Sequence, residues 1–170
     1  MNSTKTITFS GINTKYQVKK VIGGVIEVNK TRAKWIETNK PIDSETQLES
    51  IEDLSGNGIY ANEITSKLTG YKNQDILKHR YDQPHFITFQ QTIELLINCR
   101  LTCFYCRGFT PILYKNVRDG NQWSLDRTNN DLGHSHSNVV ISCLKCNLQR
   151  KRMSSTAFAM SKQMTITRIE

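Results

Sequence analysis

Four cysteines set the first constraint on the chemistry of this chain. Cys103-Phe104-Tyr105-Cys106 and Cys143-Leu144-Lys145-Cys146 are two CxxC pairs separated by 36 residues. A CxxC sets two thiolates on one tight turn, and two such turns supply the four sulfurs of a closed structural Zn2+ site. Disulfides are disfavoured, because the opening MNSTKTITFSG lacks the apolar stretch of a secretory signal. A redox CxxC would not come as a pair. The fifth cysteine, Cys99, falls on an apolar helical stretch and reads as a small buried hydrophobe. A four-thiolate zinc has no open coordination position, so this ion should do no chemistry and any catalysis would need a second ion elsewhere.

The residues between and just after the cysteine pairs carry the candidates for that second site. Trp123 to Asp126 reads as a short strand ending in a carboxylate, followed by a polar loop containing Gly133. Val139-Val140-Ile141 reads as a second strand, and the second CxxC opens a basic helix containing Asn147. A hairpin followed by a helix returns Asp126 to the first turn of that helix. Asp126 and Asn147 could then offer two oxygens to one hard cation, an arrangement that suits Mg2+ with water and phosphate completing its octahedron. Arg150, Lys151 and Arg152 follow directly. They would neutralise nucleic-acid phosphates, complement the dipole of the helix C-terminus, or do both. Of the four histidines, His85, His134 and His136 are candidates for acid–base work near neutral pH, where an ordinary imidazole titrates at ~6.5. His79, between Lys78 and Arg80, reads as a surface residue.

Taken together, CFYC, SLDR, GH, SNVV, SCLKCN and QRKR resemble the HNH, or ββα-metal, nuclease family over about residues 100–155. The nearest pattern is the LDR…GH…N…CxxCN subgroup, similar to compact HNH restriction enzymes and phage and viral HNH proteins. The resemblance implies an α+β fold: a zinc-braced ββα-metal nuclease module behind a small β-rich and helical N-terminal region. It also implies hydrolysis of a DNA phosphodiester by one Mg2+ or Mn2+ ion held by Asp126 and Asn147, with Asn138 holding the loop. The chain departs from the common pattern after the ion-binding aspartate, where the family's general base is usually histidine. Here that residue is Arg127, whose pKa above ~12 prevents it from accepting a proton; it could instead bind phosphate in two places. Two replacements for the base stand level. His134 occupies a position held by tyrosine in much of the subgroup, and His85 lies in a His-x-x-Thr-Phe arrangement similar to one in a related restriction enzyme; His136 ranks behind them.

The elements that must position these residues are read from periodicity. Residues 1–40 read as strands, with alternation at Thr6–Phe9 and a break at Gly23-Gly24 inside the β-branched run Val18–Val28. Residues 41–60, with Pro41 and Ser55-Gly56-Asn57-Gly58, read as a linker. A helix is expected near 61–80, broken around Gly70. A second is expected from Phe89 to Cys99, with Phe89, Ile93, Leu96 and Ile97 on a core-facing stripe. This divides the chain into residues 1–80, for target choice or dimerisation, and a nuclease domain over 81–170.

Lys and Arg number 23 against 15 acids, a net charge of +8. Nine of the basic residues but only three acids lie between Arg100 and Arg152, which favours DNA as partner over a merely solvated basic face. No apolar run approaches the ~20 residues a bilayer needs, so an intracellular protein without a membrane partner is expected. One HNH site cuts one strand, so a double-strand break would call for a homodimer or two sequential events. The competing function is a zinc-stapled nucleic-acid-binding protein with an inactive site, an alternative that Arg127 keeps open.

Overall fold

A helix caps itself where the sequence was expected to be a linker. The computed structural model of the chain describes residues 43–52 and 58–164, and the strands expected over 1–40 lie outside them. Helix α1, Ser44–Glu52, starts at Asp43, whose carboxylate accepts the Thr46 backbone N–H at 2.8 Å and the Thr46 hydroxyl at 2.9 Å. That bond satisfies a donor the first turn would otherwise leave open. Leu48 and Ile51, one turn apart, are buried with Gln47. The Gln47 side-chain oxygen accepts the backbone N–H groups of Ile112 (2.8 Å) and Leu113 (3.1 Å), tying α1 to the middle of the chain.

Helix α2, Ile59–Leu77, runs unbroken through Gly70, correcting the expected interruption. A side chain at Gly70 would meet nothing within 4 Å, so this glycine only weakens the helix by about 1 kcal/mol. The helix stops instead at His79, which adopts φ 53°. Ala61, Ile64, Leu68 and Asp75 are its buried residues, spaced along one stripe. Helix α3, Phe89–Asn98, opens on a reciprocal cap: the Thr88 side chain accepts from the Gln91 backbone and the Gln91 side chain accepts from the Thr88 backbone. It buries Ile93 and Leu96, with Phe89 and Ile97 packed beside them.

Strands β1, Trp123–Arg127, and β2, Val139–Cys143, pair antiparallel with Leu125 opposite Ile141 and Asp126 opposite Val140. Alternation sends Trp123 and Leu125, with Val139 and Ile141 opposite, into a core shared with Leu48, Ile64, Leu68, Ile93 and Leu96. The helices on both sides of residue 80 therefore close over one core. Helices α4, Leu144–Arg150, and α5, Ser155–Gln163, follow β2. A second, smaller core joins Cys103, Tyr105, Cys143, Cys146 and Phe158. The described residues are thus α+β, with five helices and a two-stranded sheet. No helix among them is long and apolar enough to cross a membrane.

Candidate functional site

The Sγ atoms of Cys103, Cys106, Cys143 and Cys146 all lie within 4.8 Å of one another, and Cys106 and Cys143 are 4.0 Å apart. None of the four forms a disulfide. Four sulfurs at about 2.3 Å from a central ion stand about 3.8 Å apart, so the cluster could hold a tetrahedral zinc ion. The first turn is built by left-handed backbone at Arg107 (φ 59°) and the hydrogen bond from Cys103 N–H to Gly108 O at 2.9 Å. Phe104 N–H donates to Ile141 O at 2.9 Å, which fastens this turn to β2. Cys143 caps α4, accepting the Cys146 N–H through sulfur. Cys99 stands apart from the four; burial pushes its thiol pKa up, in keeping with a packed side chain.

Asp126 is buried and clamped from two sides. The Tyr105 hydroxyl donates to its Oδ2 at 2.6 Å, Arg150 Nε to the same oxygen at 2.6 Å, and Arg150 Nη2 to Oδ1 at 2.9 Å. Burial, and then the bond to Asp126, raise the Tyr105 pKa and hold it as a phenol. The Asp126 hydrogen bond raises that of Arg150. Arg150 also donates to the carbonyls of Arg127 (2.6 Å) and Met153 (2.6 Å) and to Asn130 Oδ1 (2.9 Å). The expectation that Arg150 faces DNA phosphate is therefore corrected: it is 1% exposed, and its N–H groups are spent inside the fold. Lys151 and Arg152 remain exposed.

Asp126 lines a cavity of about 490 Å3 with Asn147 and His134, and Lys78, Arg80, Arg127, Lys151 and Arg152 also line it. The Asn147 amide N–H2 group points at Ser124 Oγ (3.2 Å) and Leu125 O (3.3 Å), while its Oδ1 makes no hydrogen bond. Three of the four lone pairs of Asp126 are occupied, leaving one on Oδ1. One lone pair on Asp126 Oδ1 and the Asn147 Oδ1 are therefore free of hydrogen bonds, on two residues that line the same cavity.

His134 is 3% exposed, and α2 positions it. Its Nδ1 lies 2.9 Å from both carboxylate oxygens of Asp75, and its backbone N–H donates to Asp75 Oδ2 at 2.7 Å. The Tyr71 ring packs against the imidazole with centroids 4.6 Å apart, and the Tyr71 hydroxyl accepts the Leu125 N–H at 3.0 Å. Burial lowers the His134 pKa and outweighs Asp75, which raises it. Gly133 makes the approach possible, since a Cβ there would stand 2.3 Å from Arg80 O. Arg127 points at the same cluster, with Nη1 2.9 Å from Leu132 O and 3.8 Å from Asp75 Oδ1.

Asn138 is buried beneath the loop. Its Oδ1 accepts the Thr128 hydroxyl and the Asn129 N–H, both at 2.9 Å, and its Nδ2 donates to Asn129 O (3.0 Å) and Gly133 O (2.9 Å). It touches backbone on both sides of the loop and does not line the cavity. His85 is exposed, paired with Asp82 at 2.8 Å, and lines a neighbouring depression of about 520 Å3. His134 and Arg80 line both spaces; His85 does not reach the one that holds Asp126. His136 is exposed at the start of a 3-10 turn over His136–Asn138. Sequence reasoning missed Asp75, Tyr71 and Tyr105. Asp75 had a signal, a carboxylate on the apolar stripe of α2, and Tyr105 had another, an aromatic hydroxyl inside a CxxC. Comparison of the chain with protein-family models, curated proteins and solved structures finds no match.

Proposed function

We propose that this protein is a divalent-ion-dependent DNA endonuclease of the HNH type, with a structural zinc at the four cysteines. The observation that carries this reading is the convergence of Asp126, Asn147 and His134 on one cavity lined by five Lys and Arg side chains. A divalent ion held by Asp126 and Asn147 would supply Lewis-acid stabilisation of charge on the scissile phosphate and the leaving oxygen. Arg127, Lys151 and Arg152 bind phosphate oxygens and fix the strand, contributing affinity that is largely independent of sequence. His134 accepts the proton of the attacking water, a role that Arg127 cannot take.

The test is nicking of supercoiled plasmid in Mg2+ or Mn2+. Asn147→Ala is a sharper probe than Asp126→Ala, because removing Asp126 strands the buried Arg150 and risks the fold. Ion-dependent nicking that Asn147→Ala lowers at least tenfold is the expected result. Wild-type protein that never nicks at high concentration sinks the enzymatic reading. One observation favours a second function, nucleic-acid binding without hydrolysis: the Arg150 guanidinium already occupies both oxygens of Asp126. In that case the basic cavity binds DNA with equal affinity with or without a divalent ion.

A further inference from the structure

We infer that Asp75, on α2 and outside the hairpin-and-helix unit, is a positioning residue that fixes the tautomer and aim of His134; its catalytic meaning rests on the hydrolytic reading above. Asp75 is fully buried, and its carboxylate accepts two kinds of bond from one residue, the backbone N–H and the ring Nδ1 of His134. A carboxylate that served only to staple the loop would need the backbone bond alone. The ring bond places the proton of the neutral imidazole on Nδ1 and leaves the lone pair on Nε2. Nε2 has no hydrogen-bond partner, and Trp123 Nε1 is the only sealed, unpartnered side-chain nitrogen or oxygen among the described residues. Nε2 is thus an open acceptor nitrogen on a residue that lines both the cavity it shares with Asp126 and Asn147 and the neighbouring depression. Tyr71 packs against the ring, and the bond from Ile87 N–H to His134 O (2.9 Å) holds its backbone.

In the step this arrangement serves, Nε2 takes a proton from water while the water oxygen bonds to phosphorus. The bond from phosphorus to the 3′ oxygen breaks, and its electron pair leaves on that oxygen, which takes a proton from solvent. The imidazolium returns its proton to solvent, and Asp75 keeps the ring aligned throughout.

The experiment pairs ring NMR with cleavage kinetics on the full chain purified with zinc. Nitrogen-15 ring spectra of wild type are expected to show Nδ1 protonated and Nε2 bare. In Asp75→Asn the amide N–H2 takes the place of one carboxylate oxygen 2.9 Å from Nδ1, which drives the proton to Nε2. Cleavage should then fall about 10³-fold or more, with plasmid affinity unchanged. In a His134→Ala background the same Asp75→Asn change should cost less than threefold, because the two residues act as one unit. A purely structural Asp75 would cost as much in either background, and that result overturns the inference. An Nε2–H tautomer in wild type overturns it as well, even where Asp75→Asn fails to fold. Wild-type rates in Asp75→Asn refute the positioning role and leave the nuclease standing. A wild type without ion-dependent cleavage removes the nuclease, and with it the catalytic role of this pair.

Discussion

Gly133→Ala isolates the packing that seats His134. The added Cβ would lie 2.3 Å from Arg80 O, 3.3 Å from Arg80 C and 3.1 Å from Asp75 Oδ2. Relief needs about 1 Å of movement, since a carbon and an oxygen in contact stand roughly 3.2 Å or more apart. Arg80 cannot easily yield, because its own N–H is bonded to Asp75 O at 2.8 Å. The loop must move instead, stretching the bonds from His134 N–H and Nδ1 to Asp75 and from Asn138 Nδ2 to Gly133 O. Leaving buried groups partly unpaired costs about 1–3 kcal/mol each, so a loss of about 2–4 kcal/mol is expected in urea unfolding with zinc held in excess. Nicking should fall about 10²-fold, the penalty of a 1 Å misplacement of a reacting group. Gly70→Ala is the matched control. Nothing lies within 4 Å of its new methyl, and the change should stabilise α2 by about 0.5–1 kcal/mol with nicking unchanged. Equal stabilities for Gly133→Ala and wild type, within about 0.5 kcal/mol, would refute the packing argument.

Metal analysis of purified protein should find one zinc per chain, and Cys143→Ala or a chelator should lower the midpoint of the thermal transition, as loss of a site that contributes folding free energy requires. Arg150→Met should destabilise by about 3–5 kcal/mol, because Asp126 would be left buried with Tyr105 alone; chevron or equilibrium unfolding measures it, and a change below about 1 kcal/mol would contradict the clamp. Exchanging both Lys151 and Arg152 for Ala should weaken DNA binding about equally across sequences and lower the salt slope by about 2, read by fluorescence anisotropy at several salt concentrations. Cleavage should hold level through neutral pH and decline only below the ordinary histidine value of ~6.5, since burial, with Arg127 and Lys78, lowers the His134 pKa against the opposing pull of Asp75. The same shift makes His134 favour folding fully above ~6.5, a contribution lost as pH falls from there toward its lower folded value. A rate that begins to fall well above ~7 would contradict the lowering of the His134 pKa by burial.

Local pattern made much of the fold legible. The strand ending at Asp126, the strand over Val139–Ile141, the helix after the second CxxC and the apolar stripe of α3 were all readable from alternation and helical spacing. So was the clustering of the four cysteines, because CxxC spacing alone dictates a turn. What escaped lay in long-range partners. Nothing local says that Gln47 will stand in for a strand beside Ile112 and Leu113, so the polar stretch holding α1 read as a linker despite the Asp43–Thr46 cap. Gly70 read as a break because propensity was weighed without the burial on either side of it. Arg150 read as a surface cation because charge alone cannot tell a phosphate ligand from the partner of a buried carboxylate. Asp75 was invisible as a partner, since 59 residues separate it from His134.

The link between the cysteine cluster and the cavity is shorter than a brace at a distance. Tyr105 sits between the first two cysteines and donates to Asp126. Asn147 follows the last cysteine directly, and Arg150 lies one turn of α4 further on, bonded to the same carboxylate. Each CxxC turn thus carries a side chain that holds Asp126, and the second also carries the free oxygen of Asn147. Loosening the cysteines would release the Tyr105 turn from α4 and open the Asp126 clamp from both sides. His134 depends on a different support, Asp75 on α2, which the shared core ties to β1 through Ile64, Leu68 and Trp123. The two halves of the candidate site therefore rest on separate scaffolds that meet at the sheet. Damage to the cysteine cluster should disorder Asp126 and Asn147 first, while the Asp75–His134 pair should persist for as long as α2 stays packed on Trp123.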